Sequence, residues 1–180
     1  MTWHAYQLDP GAPPTTPGDY VTPLAAKFGR SEDEVAAMLA DMTRRAAQDG
    51  LDYRFDIAHH ANTFDAHRLV QLAAEHGVQD ALEERLFAAV FTEGRTISDP
   101  GTLQELATSV GLDPDTVAAV LAGDDYADAV RGDIEQAREY GITGVPFFVI
   151  DGRYGVSGAQ PSEVLGRALD QAWDARARTA

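Results

Sequence analysis

No cysteine occurs in the 180 residues of this chain. Its absence excludes disulfides, thiolate metal sites and any thiol nucleophile, and it leaves the redox compartment undecided. Positive charge is scarce too. Lys27 is the single lysine, and 14 basic residues face 29 acidic ones, a net charge of −15. Such a chain is a poor match for nucleic acid or anionic membrane surfaces, both of which reward positive charge. No apolar run approaches the roughly 20 residues of a membrane span. The opening residues, with His4, Asp9 and prolines at 10, 13, 14 and 17, lack the apolar stretch of a secretory leader. Cytoplasm is the simplest compartment to expect. Ser157 has no His/Asp partnership of triad type in the sequence, which argues against a serine hydrolase. Repeats and low-complexity blocks are missing as well.

What is present is a well-punctuated run of helices with an apolar fraction of 44%, ample for a core. Pro10 to Pro23 is a Pro/Gly/Thr linker without periodicity. Ser31 and Glu34 form a capping-box pair opening a helix to about Gln48, with Gly50 as its stop. Val35, Met38, Leu39 and Met42 make its apolar stripe. Leu51 to Ile57 reads as an extended connector or short edge strand. Asn62 or Thr63 is placed to cap a helix that runs to His76 and ends at Gly77. A further helix spans Gln79 to Phe91, with Leu82, Leu86, Phe87 and Val90 facing inward. Asp99-Pro100 and Asp113-Pro114 each set a capping aspartate before a proline, a start signal for two short helices. Tyr126 to Tyr140 forms the last helix of this block, stopped by Gly141. The acidic runs Glu32-Asp33-Glu34 and Asp124-Asp125 read as caps and solvated faces.

The tail changes character. Phe147 to Ile150 is a short aromatic and β-branched run bounded by turn residues, which favours a strand buried on both faces. Asp151-Gly152 is a hairpin signal, because a type I′ turn needs positive φ at both central positions. Tyr154 to Ser157 then returns antiparallel. Ser162 through Trp173 closes the chain as an amphipathic helix, with Val164, Leu165, Ala168, Leu169 and Ala172 on one face. Pro146 stands at the strand's first position, where its missing N–H costs nothing. The residues alone leave Val145–Pro146 open between cis and trans, which differ by only about 0.5–1 kcal/mol before proline.

These stretches carry a resemblance. Gly141-Ile142-Thr143-Gly144-Val145-Pro146-Phe147-Phe148-Val149-Ile150 and Val156-Ser157-Gly158-Ala159-Gln160-Pro161 resemble the cis-proline loop and hairpin of the DsbA-like thioredoxin-fold oxidoreductases, in their FrnE-like branch. Asn62-Thr63-Phe64-Asp65-Ala66-His67-Arg68, Phe91-Thr92-Glu93-Gly94-Arg95-Thr96-Ile97-Ser98-Asp99 and Tyr126-Ala127-Asp128-Ala129-Val130 are similar to stretches of the same family. Trp3 to Pro10 resembles its second strand and the following turn. The similarity runs from Trp3 to Trp173. It implies an α/β, thioredoxin-like fold that is incomplete, its first strand and first helix absent, with a large all-helical insertion. Residues 1–30 and 141–180 would be the thioredoxin-like remnant and 31–140 the insertion. The activity implied is thiol–disulfide oxidoreduction on a thiol-containing protein or small molecule. Val145 and Pro146 in the loop, with Asn62, Thr63 and His67 in the cleft beneath the insertion, would contact the substrate.

The departure lies at the start. Relatives open with a strand, a Cys-x-x-Cys motif and the helix that motif begins, whereas this chain enters at the strand after them. No residue here inherits the catalytic role. Three readings follow. The favoured one takes Met1 as a mis-assigned initiation site or expression boundary of a dithiol oxidoreductase. The others are a cysteine-free, redox-inactive relative that binds a ligand or protein, and a relative of the glutathione-dependent isomerases, whose activating residue would also be missing. His59, His60, Asp65 and His67 are close enough in sequence to suggest zinc. However, two histidines at one-turn spacing on a helix face are lacking, and a polar loop entering a helix, with Asp65 near its positive end, accounts for them. Neither metal nor cofactor is expected.

An inner strand buries four or five apolar side chains at roughly 1.5–3 kcal/mol each, comparable to the net stability of a domain, about 5–15 kcal/mol. Without it, Trp3–Leu8 and Phe147–Ile150 share no partner and present open edges. The chain expressed alone is therefore expected to be unstable or to form a homo-oligomer through those edges. Calorimetry combined with light scattering checks this; a monomeric, cooperative melt above about 55 °C refutes it.

Overall fold

Among the described residues, polar side chains at the predicted positions Ser31, Asp99 and Asp113 cap three helices. The computed structural model describes residues 1–14 and 20–177, so the middle of the Pro10–Pro23 linker lies outside the described residues. Helix α1 (Val21–Phe28) ends at Gly29, whose φ of 62° is the left-handed value that glycine adopts without strain. In α2 (Glu32–Gln48) the Ser31 hydroxyl accepts from the Glu34 N–H, and the Glu34 carboxylate accepts from the Ser31 N–H at 2.9 Å. Those bonds hold the Glu34 carboxyl below its usual range. Helices α3 (Phe64–Glu75) and α4 (Gln79–Phe91) follow. In α5 (Pro100–Ser109) and α6 (Pro114–Ala122), Asp99 and Asp113 accept from the N–H groups of Thr102 and Thr116 at 2.7 and 2.8 Å, with proline in the first turn. Then come α7 (Ala127–Glu139), β1 (Phe147–Ile150), β2 (Tyr154–Ser157) and α8 (Ser162–Ala177).

The chain divides into two compact units, Met1–Gly132 and Asp133–Ala180. In the first, α3 packs on α4, α5 and α6. Leu69, Leu72, Leu82, Leu103, Leu106 and Val117 meet there, each no more than 2% exposed. Burial of each side chain contributes about 1.5–3 kcal/mol. A smaller cluster joins Ala25 of α1 to Val35 and Leu39 of α2, with Tyr20, Leu24, Met38 and Phe55 around it. An aromatic series carries this cluster to α4. Tyr20 meets Phe55 at 5.5 Å, Phe55 meets Tyr53 at 5.6 Å, and Tyr53 stacks on Phe91 at 5.1 Å.

Three sequence expectations are corrected here. Trp3–Leu8 is not a strand. No ladder partner lies beside it among the described residues; instead the Gln79 side-chain amide accepts from the Trp3 N–H and donates to its carbonyl, both at 3.2 Å. Met42 stands outside the apolar stripe of α2 and is exposed. Phe87 is 46% exposed, because the buried line on α4 runs through Leu82, Leu86 and Ala89; its ring stacks on Phe91 instead. Of the two readings of Leu51–Ile57, connector or edge strand, the connector holds, with a turn that starts at Arg54.

In the second unit β1 and β2 pair antiparallel, Phe147 opposite Ser157 and Ile150 opposite Tyr154. Asp151 (φ 54°) and Gly152 (φ 64°) turn the chain, both in the left-handed region that the Asp-Gly pair signals. Helix α8 packs on both strands. The expectation that β1 is buried on both faces fails, since Val149 is 43% exposed and the sheet has two strands among the described residues. Leu169, expected on the buried face of α8, is exposed as well.

One half-buried acid makes stability depend on pH. Burial pushes the Glu83 carboxyl on α4 up to about 7, with Asp80 and Glu84 adding like-charge repulsion. The folded chain thus holds a proton that the unfolded chain releases, so stability falls as pH rises from about 4.5 to about 7. Glu83→Gln is expected to match the parent at pH 4.5 and to melt about 2–4 °C higher at pH 8. Equal melting temperatures at both pH values would contradict the burial of this carboxylate.

Candidate functional site

The loop before β1 is held by the segment after β2. The Val145–Pro146 peptide bond is cis. The Pro146 carbonyl accepts from the Gly158 N–H at 2.8 Å, and Gly158 stands at a φ of 81°, which glycine alone adopts readily. The Gln160 side chain donates to the Ser157 carbonyl at 2.9 Å, closing this turn on itself. Val145, 45% exposed, and the exposed Pro146 are thereby presented to solvent on a fastened loop. Both belong to the second unit.

Asn62, Thr63 and His67 lie in the first unit, at the start of α3. The structure assigns the cap to Asn62, whose Oδ1 accepts from the Phe64 N–H at 2.9 Å; Thr63 occupies the N-cap position without a side-chain capping bond. Asn62 does more than cap. Its Oδ1 also accepts from Gln7 at 3.2 Å, its Nδ2 donates to the Ala12 carbonyl at 3.2 Å, and its N–H donates to the Pro13 carbonyl at 3.1 Å. Asn62 therefore fastens the segment from Gln7 to Pro13 to the head of α3, with its side chain and its own N–H. His67 is half-buried in the first turn, its N–H donating to the Thr63 carbonyl at 3.0 Å. His60 Nε2 lies 3.1 Å from Asp9 Oδ2, a second tie to the same segment. Among the described residues no three His, Asp or Glu side chains gather in a group that would hold a metal ion.

A buried arginine sits beside these residues. Arg68, 4% exposed, donates to Asp65 at 2.8 Å, to the Asp125 carbonyl at 2.8 Å, to the Gly123 carbonyl at 2.6 Å and to the Val120 carbonyl. Its i,i+3 relation to Asp65 is legible in sequence; its three carbonyl partners, more than fifty residues away, are not. The turn it holds places Tyr126 at a φ of 63°, and the Tyr126 hydroxyl donates to Glu75 at 2.7 Å. Burial and that bond push the Tyr126 hydroxyl up to about 12. Leu72, Glu75, Val120, Asp125 and Tyr126 border a cavity of about 350 Å³, which none of the sequence-predicted site residues lines.

In chemical terms the second unit offers an exposed, fastened backbone loop. The first offers a polar helix start whose amide is already engaged. Neither contains a thiol. Residues 1–170 match the family model described as the DSBA-like thioredoxin domain. The chain is 31% identical over 122 residues to "Uncharacterized protein YwbO" of Bacillus subtilis (strain 168), an alignment covering 67% of this chain and 60% of that protein. It thus spans well under two thirds of that relative's length. Among solved structures it is similar to the crystal structure of SCO1869 from Streptomyces coelicolor, described as a "probable DsbA oxidoreductase". There the identity is 44% and the TM-score 0.88, over 95% of this chain and 74% of the other.

Arg68→Ala removes the side-chain donor of three carbonyl groups, of which that of Val120 still accepts from the Gly123 N–H at 3.3 Å; each one left buried and unmade costs about 1–3 kcal/mol. A loss of roughly 2–4 kcal/mol in denaturant-measured stability is expected, whereas Asn62→Ala loses about 1–2 kcal/mol, as for a cap. The second variant also gives faster amide exchange over residues 7–13. Unchanged exchange there would show that Asn62 does not fasten that segment.

Proposed function

Since the chain belongs to the family of DSBA-like thioredoxin domains, we propose that it is a redox-inactive, substrate-binding relative of the thiol–disulfide oxidoreductases, of FrnE-like type. The fold is the DsbA-like thioredoxin fold, mixed α/β and mostly helical. The observation that carries the reading is the absence of cysteine from a chain that keeps the family's loop and hairpin. Disulfide exchange requires a thiolate to attack a disulfide sulfur and form a mixed disulfide. No atom of this chain performs that step. What the geometry supports is recognition.

Family membership makes thiol-containing molecules the general class of partner. In this reading Val145 and Pro146 meet the substrate, a thiol-containing protein or small molecule, in an extended conformation, since an exposed, fastened backbone suits strand-like recognition. Asn62, Thr63 and His67 are the substrate-contacting residues of the first unit. Residues 1–30 and 141–180 form the thioredoxin-like part and 31–140 the helical insertion. The reading places the protein in the cytoplasm. Among the described residues no helix is long and apolar enough to cross a membrane. Self-association through the open sheet edge accompanies this role.

Insulin reduction coupled to dithiothreitol is expected to proceed at the background rate. A fluorescent, thiol-containing unfolded peptide binds saturably, and Val145→Asp weakens it about tenfold, equivalent to about 1.4 kcal/mol. Turnover above background overturns the redox-inactive reading. Saturable glutathione binding without peptide binding favours the isomerase relatives instead.

A further inference from the structure

The cavity at the end of α3 is bordered by polar side chains that only accept. Leu72 and Glu75 of α3, Thr116, Ala119 and Val120 of α6, and Asp125 and Tyr126 of the turn after α6 line a space of about 350 Å³, all within the first unit. That volume lies at the lower end of the range for small-molecule sites. No arginine, lysine or histidine borders it.

Its hydroxyl protons are already committed. The Thr116 hydroxyl donates to the Asp113 carboxylate at 2.7 Å, and the Tyr126 hydroxyl donates to Glu75 Oε2 at 2.7 Å. An ionised carboxylate only accepts, so neither hydroxyl has a second proton to offer, while each keeps lone pairs. Glu75 keeps its other carboxylate oxygen. The Asp125 carboxylate accepts no hydrogen bond among the described residues, and the backbone carbonyl of the same residue is held by Arg68 at 2.8 Å. The rest of the lining is apolar. Leu72 and Val120 are 2% and 3% exposed, and the Ala119 methyl stands beside them on the outer side of α6.

Two carboxylates alone would make only a solvated acidic face. Here they border an apolar recess, and the combination selects a ligand. An anion meets acceptors and no side-chain donor. A neutral apolar molecule takes carboxylates out of water and gives them nothing in return. What suits every part of the lining is a cation with several donors, carried on an alkyl stem. We propose that this cavity binds a primary alkylammonium, its ammonium group donating to Glu75 and Asp125 and its methylene stem lying on Leu72, Ala119 and Val120. A compact ammonium with three rotatable donors matches acceptors that come from different elements, whereas a guanidinium fork is made for one carboxylate presented flat. The setting agrees in sign. The first unit holds 22 acidic residues against 9 basic ones, a field that draws cations to its clefts.

Two sources carry this chemistry, a free diamine and a lysine side chain of a protein. The site shares no residue with the Val145–Pro146 loop or with Asn62, Thr63 and His67, so it stands or falls apart from thiol recognition.

The test is an amide-resonance titration of the isotopically labelled chain with cadaverine and, separately, with lysine blocked at both backbone ends. Saturable shifts of the lining residues are expected, with a Kd near about 1 mM at low salt and weaker binding as salt is added. Tighter binding of cadaverine identifies a free diamine as the ligand; tighter binding of the blocked lysine identifies a protein side chain. Asp125→Asn and Glu75→Gln each weaken binding at least tenfold. Ala119→Leu fills the recess from an exposed helix position, leaves every charge in place and abolishes binding. Asp124→Asn removes the same charge one residue outside the lining and leaves affinity within about twofold of the parent, the scatter expected of a screened distant charge. Equal losses in Asp124→Asn and Asp125→Asn overturn the proposal, since the attraction is then that of the chain's overall charge. Shifts that do not saturate overturn it, as does binding indifferent to Ala119→Leu with native circular dichroism.

Discussion

The helical core depends on one buried cation. Arg68 is buried in the first unit, its guanidinium bonded to the end of α6 and the turn that follows. The last carbonyls of a helix have no partner within it; that of Val120 accepts from the Gly123 N–H and from Arg68, and that of Gly123 accepts from Arg68. Asp65, one turn earlier on the same helix, supplies the counter-charge. A planar fork with five donors suits this task; a lysine's three donors would leave part of it undone.

Legibility in the sequence tracked the range of the interactions. Ser31 with Glu34, Asp99 with Pro100, Asp113 with Pro114 and Asp151 with Gly152 all act within four residues. Each did in the structure what its spacing implied. Phe87 and Leu169 were misplaced because helical periodicity fixes a stripe but not its width, and each stands at a margin. Trp3–Leu8 has a strand's composition without a strand's partner, so its hydrogen bonds go to the Gln79 side chain. The contacts of Arg68 were invisible for a different reason. They are made to carbonyl groups, which every residue type possesses.

For the candidate site the division is similar. The Val145–Pro146 loop was readable as a local motif, whereas its clasp at Gly158, made across the hairpin, was not. Asn62 was readable as a cap. Its larger part, fastening Gln7 to Pro13, depends on a segment some fifty residues away. The two units also differ in electrostatic character. The first unit holds 22 acidic residues against 9 basic ones, the second 7 against 5.

The two tryptophans are divided between those units. Trp3 packs against the main core, with its indole bonded to Asp80, whereas Trp173 on α8 is 75% exposed. Their emission therefore separates by wavelength and by access to a collisional quencher. The blue, sheltered component reports the helical core, and the red, quenchable one reports the hairpin unit. The native chain thus carries a spectroscopic label for each half of its fold.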